Sequence, residues 1–287
     1  MKRYKVEKDG VLEVGQIMYT KKYVLSVDRD LCKGCELCAL VCPREAITLV
    51  PQEDIDGQAV APKIDVNENI CDFHGICAVV CPFAAIKIAV NGDETLNAVK
   101  MEVFPTLTRD FTVDTSLCEE DCTTCEEVCP LNIVTVTKKD GKVDVAVKID
   151  QCAGCKICWD ECPSQCIEVS KFIEGSITIV SDKCQEGCTR CLDVCPLDAL
   201  DIDDNDKVYA KNMNCIYCGA CKTVCPNEDA LSIVRTAILH SPVSSGAWNK
   251  GLEKLTSTAG LMRELAAERI SKLRTTVKSL ERTEENE

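Results

Sequence analysis

The chain has little from which to build an ordinary hydrophobic core or an ordinary active site. Phe, Trp and Tyr make up 4% of its 287 residues, which argues against one large hydrocarbon core. It has two histidines, His74 and His240. Neither a glycine-rich phosphate loop nor a nucleophile with an orienting base is legible, so the usual signs of nucleotide-dependent and hydrolytic enzymes are missing. No apolar run reaches bilayer length, and the stretch from Met1 to Gly10 is charged where a secretory signal is apolar. A cytoplasmic protein without a transmembrane segment is the expectation. Positive charge is also scarce: 33 Lys and Arg face 47 Asp and Glu, a net charge of -14. That balance speaks against nucleic acid and for a basic docking face on a protein partner.

Cysteine is what the chain has in quantity, with 24 residues. Without a secretory leader these read as reduced thiols rather than disulfides. The first run is Cys32-Lys-Gly-Cys35-Glu-Leu-Cys38-Ala-Leu-Val-Cys42-Pro43, and five more begin at Cys71, Cys118, Cys152, Cys184 and Cys215. The spacing C-x2-C-x2-C-x3-C-P is that of bacterial ferredoxins, in which three cysteines hold one [4Fe-4S] cluster and the fourth crosses to a second. Structural zinc divides its ligands between two knuckles separated by a longer loop, and these compact runs do not suit it.

Each run is flanked by short strands, and the crossing of ligands requires consecutive runs to pair. The predicted fold is α+β: three tandem two-cluster ferredoxin-like modules plus a C-terminal helical tail. The expected boundaries are an N-terminal arm over 1–21, module one over 22–90, a linker over 91–110, module two over 111–170, module three over 171–235 and a helical docking tail over 236–287. Hairpins are expected to join Ile47–Val50 to Val60–Val66, Ile133–Val136 to Val143–Ile149 through a Lys138–Gly141 turn, and Leu200–Ile202 to Val208–Ala210.

The crossing sets the ligands. Site one takes Cys32, Cys35, Cys38 and Cys81; site three takes Cys118, Cys122, Cys125 and Cys162; site four takes Cys152, Cys155, Cys158 and Cys129. Site five takes Cys184, Cys188, Cys191 and Cys225, and site six takes Cys215, Cys218, Cys221 and Cys195. These five are expected to hold [4Fe-4S] clusters.

Site two differs. Its run reads Cys71-Asp-Phe-His74-Gly-Ile-Cys77-Ala-Val-Val-Cys81-Pro82, with histidine in the frame of a ligand cysteine. With Cys71, Cys77 and Cys42 as its thiolates, three outcomes stand open: a [4Fe-4S] cluster ligated by His74, a [3Fe-4S] cluster on three thiolates, or a cluster with water or Asp72 at the fourth iron. Filled in this way, the six sites bring the net charge to roughly -25.

Other details are secondary. Runs three and five carry one extra residue in the first loop, which the loop can absorb. Gly34, Gly154 and Gly187 precede a second ligand cysteine, where positive φ is useful. Cys166 stands where sister runs have Ala46, Ala85 and Ala199, and reads as a small buried residue. Trp159 and Tyr217 sit beside ligands and are expected to shield them. In the tail, Met262, Ala266, Ile270, Leu273, Val277 and Leu280 form an apolar stripe on one helix, with Ser257 or Thr258 as its cap and Trp248 as an anchor for a partner. Packing of this helix on the chain's own modules is the other reading of the stripe.

Across residues 22–235 these motifs resemble those of archaeal polyferredoxins. The mixed first loops and the cysteine-free helical tail are similar to the polyferredoxin F subunit of formylmethanofuran dehydrogenase. The resemblance implies a non-catalytic subunit that passes low-potential electrons to a molybdenum or tungsten chain reducing carbon dioxide, in an anaerobic methanogen. A diffusible polyferredoxin, or a subunit serving a hydrogenase or heterodisulfide reductase, is the alternative. A catalytic or sensing role at site two is a third reading.

Overall fold

The computed structural model describes residues 1–139, 142–243 and 245–284. Its first unit contains β1 (Lys2–Lys8), β2 (Val11–Ile17), β3 (Lys22–Asp28), α1 (Leu37–Val41), β4 (Ile47–Val50), β5 (Lys63–Val66), α2 (Ile76–Val79) and β6 (Ile86–Val90). Strand β3 pairs antiparallel with β6, and β4 with β5. The strand that precedes the first run thus pairs with the one that follows the second, while the two strands between the runs form a hairpin.

The same scheme recurs twice. After the single turn α3 (Asn97–Lys100), the second unit contains β7 (Phe111–Val113), α4 (Thr124–Glu127), β8 (Val134–Lys139), β9 (Lys142–Val147), α5 (Ile157–Asp160) and β10 (Ile167–Val169). There β7 pairs with β10 and β8 with β9. The third contains β11 (Ile173–Ile179), α6 (Arg190–Asp193), β12 (Leu200–Ile202), β13 (Val208–Ala210), α7 (Ala220–Thr223) and β14 (Leu231–Ile238), with β11 on β14 and β12 on β13. Of the expected Lys138–Gly141 turn, Asp140 and Gly141 lie outside the described residues.

Residues 1–21, expected as an N-terminal arm, form the β1–β2 hairpin, which extends the β3–β6 pair to a four-stranded sheet in the order β1-β2-β3-β6. Leu12, Val14, Leu25 and Val27 alternate inward with period two and close a core with Ile86 and Ile88. The 91–110 segment is strandless as expected, yet it is not a loose linker. Phe104 is buried in the largest core, and Leu107 makes an isolated bridge to His240.

The tail begins later than 236, because β14 runs to Ile238. Helix α8 (Gly246–Leu255) then lies against α1, with Trp248, Leu252 and Leu255 buried. Trp248 Nε1 donates to His240 Nε2 at 3.0 Å. The expectation of Trp248 as an anchor for a partner is therefore corrected: it holds the tail to the chain's own first unit. Helix α9 (Thr258–Glu284) contacts β14 and α8 and then continues with Met262, Ile270 and Leu273 exposed. The side chains of Val277 and Leu280 lie outside the described residues. No helix among the described residues is long and apolar enough to cross a membrane.

Candidate iron–sulfur sites

Each run places its first three cysteines in a loop leading into a single helical turn, and the fourth at the end of that turn before proline. Two backbone devices shape the loops. In five of the six runs the residue before the second ligand position takes positive φ: 63° at Gly34, 59° at Phe73, 72° at Gly154, 70° at Gly187 and 56° at Tyr217. At Gly34 and Gly154 no side chain would fit, because a Cβ would stand 2.5 Å from the Pro62 carbonyl oxygen and 2.6 Å from that of Ser170.

The second device has no glycine signature. Glu45, Ala84, Asn132, Gln165 and Asp198, each third after the closing cysteine of its run, have φ between 46° and 52°. A left-handed non-glycine residue costs about 1–2 kcal/mol. Its return is a backbone N–H turned onto sulfur: Ala46 N donates to Cys42 Sγ, Ala85 N to Cys81 Sγ and Ala199 N to Cys195 Sγ, each at 3.3 Å. Such bonds stabilise thiolate and tune a cluster.

The fold brings the expected sets together. Cys184, Cys188, Cys191 and Cys225 line one recess, and Cys195, Cys215, Cys218 and Cys221 line another. Cys42, Cys71, Cys77 and His74 line a third. At site one, Cys38 lies within the electrostatic reach of Cys81 and Cys32. Cys125 is similarly placed to Cys122, Cys118 and Cys162, and Cys158 to Cys155, Cys152 and Cys129. Burial pushes several of the thiols up, among them Cys155 to about 11 and Cys158 and Cys218 to about 12. Ligation must therefore release protons as well as bind metal. Among the described residues no three His, Cys, Asp or Glu side chains converge on the position of a single ion. Thiols spaced around a recess fit a polynuclear centre, in which each iron takes its own thiolate.

Two sites carry additions. At site three, Cys166 Sγ lies 3.5 Å from Cys118 Sγ and 3.6 Å from Cys162 Sγ, so it is buried as expected but touches two candidate ligands. At site two, His74 Nδ1 is 3.0 Å from Asp72 Oδ1. Burial pushes the imidazole below its ordinary value, against the pull of Asp72. Tyr217 is buried as a shield would be, whereas Trp159 is 41% exposed and does not serve as one.

Between units, three cations join three of the sites. Arg235, itself buried, donates to the carbonyls of Tyr217 and Cys218 and pairs with Glu36 at 3.3 Å, which ties the loop of site six to that of site one. Arg109 donates to the carbonyls of Cys81, Pro82 and Cys152, joining site one to site four. Lys171 donates to the carbonyls of Asn212 and Cys215 and feels the charge of Cys155, joining site four to site six. Sites one, four and six thus form a triangle. The loop of site five also meets unit one, where Arg190 pairs with Asp54 and Ala59 N donates to Asp193. Sequence reading missed this arrangement, because Arg109, Lys171 and Arg235 stand outside every cysteine run.

Residues 31–85 and 183–228 match the 4Fe-4S dicluster domain. Those two stretches, the one that carries His74 and the one that carries sites five and six, are similar to iron–sulfur domains of that kind. No curated protein matches the sequence. A chain of the formate dehydrogenase–heterodisulfide reductase–formylmethanofuran dehydrogenase complex from Methanospirillum hungatei shares the fold, with a TM-score of 0.79 and 28% identity, covering 89% of this chain and 92% of that one.

Proposed function

We propose that the protein is an electron-conducting subunit of a larger oxidoreductase assembly, with six iron–sulfur clusters in three two-cluster modules. The observation that carries this reading is the contiguity of the sites. Cys38 feels the charge of Cys77, Cys158 that of Cys125 and Cys221 that of Cys191, so the two sites of each unit adjoin. Cys35 feels the charge of Cys218, so units one and three adjoin as well. When bound, clusters supply one-electron storage and transfer. The chain's residues hold them in reach of one another, shield them and set their potentials. Sites one, four and six would link the three units, and each unit would add a second site beside its own.

The likeness to a chain of the M. hungatei complex supports formylmethanofuran dehydrogenase as the assembly served, with a molybdenum or tungsten chain as electron acceptor or donor. A heterodisulfide reductase named in the same complex is the second candidate. The apolar stripe of α9, exposed at Met262, Ile270 and Leu273, is the surface we assign to attachment.

Anaerobic purification of the native protein tests both levels. Iron and acid-labile sulfide sufficient for six clusters, with reduced clusters that interact magnetically, are expected. Zinc in their place overturns the reading. Co-elution of a molybdenum or tungsten chain supports the assembly, whereas isolation as a lone chain favours a diffusible carrier.

A further inference from the structure

Site two keeps the backbone of a cysteine site around a different side chain. Phe73 precedes His74 with φ 59°, matching Tyr217 before Cys218 at 56°, and Gly75 follows at 96°, matching Gly219 at 98°. A bulky residue held left-handed costs about 1–2 kcal/mol. The frame that carries Cys218 in site six is thus kept around His74, which lines the site-two recess.

The imidazole itself is held on two sides. Its Nδ1 faces Asp72 Oδ1 at 3.0 Å, and because a carboxylate only accepts, the proton lies on Nδ1. Phe104, from the 91–110 segment, meets the ring edge-on with centroids 6.0 Å apart. The other nitrogen, Nε2, is sealed from solvent and has no hydrogen-bond partner, in a recess shared with Cys42, Cys71 and Cys77. An unpaired buried acceptor costs about 1–3 kcal/mol. A lone pair on a buried, unpartnered Nε2, on a residue that lines the recess with three thiols, is what a fourth iron would bind.

Resting on the iron–sulfur reading above, we infer that His74 Nε2 is the fourth ligand of a [4Fe-4S] cluster at site two, and that Asp72 is the positioning residue that fixes its tautomer and orientation. The pair has the form of a carboxylate–histidine–metal triad, in which the outer carboxylate raises ligand basicity. Replacing a thiolate by a neutral imidazole removes one negative charge from the site, which raises its potential. Site two is then the end of the conductor on which an electron rests most readily.

The test uses the full holo-protein with ¹⁵N-labelled histidine, purified anaerobically, as the natural chain and as the His74→Cys, His74→Ala and Asp72→Ala variants. Pulsed electron paramagnetic resonance of the natural chain is expected to show one strongly coupled histidine nitrogen on one reduced cluster, absent from both His74 variants. At a fixed ambient potential, His74→Cys is expected to lower the reduced fraction of that cluster relative to oxidised at least tenfold, about 59 mV for a one-electron couple. Asp72→Ala is expected to keep the nitrogen coupling, change its magnitude and weaken iron retention at site two about tenfold. A three-iron signal at site two, or a four-iron cluster without nitrogen coupling, overturns ligation by His74. An Asp72→Ala protein identical to the natural one in coupling, potential and iron retention overturns the role of Asp72. Five intact clusters beside such a result leave the conductor reading standing, whereas a chain with no clusters overturns both.

Discussion

The first and second units share one strand scheme and differ in what surrounds it. In the first, Cys35, Cys38, Cys42, Cys71, Cys77 and Cys81 are buried, a four-stranded sheet backs the sites and α8 covers α1. In the second, only Cys125 and Cys162 among the assigned ligands are buried, the sheets are two-stranded, and a small separate core holds them. One motif therefore sits in two supports: protein packing carries much of the first unit, and metal must carry more of the second. Small units that cannot bury enough apolar surface depend on such staples.

The largest effect expected from this contrast follows cluster removal. Anaerobic chelation of iron should unfold most of the chain, with amide exchange rising first in β7–β10 and last in the β1-β2-β3-β6 sheet. Simultaneous loss of protection in both units would break the comparison. Trp248→Ala removes a fully buried side chain that fastens the tail to unit one, and should cost about 3–5 kcal/mol. Denaturant melting of the holo-protein measures it, with exchange rising at α1 and α8 rather than at β8–β9.

Arg109→Ala should act at the joint between the two units. It strands three carbonyls that now accept from a cation, and about 2 kcal/mol of docking is at stake. Exchange at the Cys152 loop and small-angle scattering should both report a second unit released from the first. Gly34→Ala puts a side chain against the Pro62 carbonyl at φ 63° and should cost about 1–3 kcal/mol, read as lower thermal stability and poorer iron retention at site one. Cys166→Ala should be the mildest change, below about 1 kcal/mol. The site-three spectrum should survive with a small potential shift, since a thiol near Cys118 and Cys162 is removed but no assigned ligand is. Loss of the cluster would make Cys166 a ligand.

The runs announced the sites, because thiolate spacing is a local property and the crossing rule converts it into pairing. The inner hairpins were legible for the same reason: Leu200–Ile202 and Val208–Ala210 alternate across a polar turn. The β1–β2 hairpin was not, since its inward residues Leu12 and Val14 are few and strand β1 buries none of its side chains. Trp248 was misjudged because an apolar residue in a tail gives no sign of which surface covers it. The left-handed residues after Cys42, Cys81, Cys129, Cys162 and Cys195 escaped notice because glycine, the usual marker of positive φ, is not used there. His74 was legible as a substitution in frame; its orientation required Asp72 and Phe104, which only the fold brings to it.

The triangle of Arg109, Lys171 and Arg235 has a consequence for traffic rather than for stability. Arg109 and Lys171 spend their hydrogen bonds on backbone carbonyls and make no salt bridge among the described residues. Their positive charge therefore remains largely free to answer an electron arriving at any of the three neighbouring sites. A line of carriers stalls when one member is already filled. With clusters at these three sites, as proposed, a corner already holding an electron would leave the other two joined directly, and the cations between them would offset the added charge.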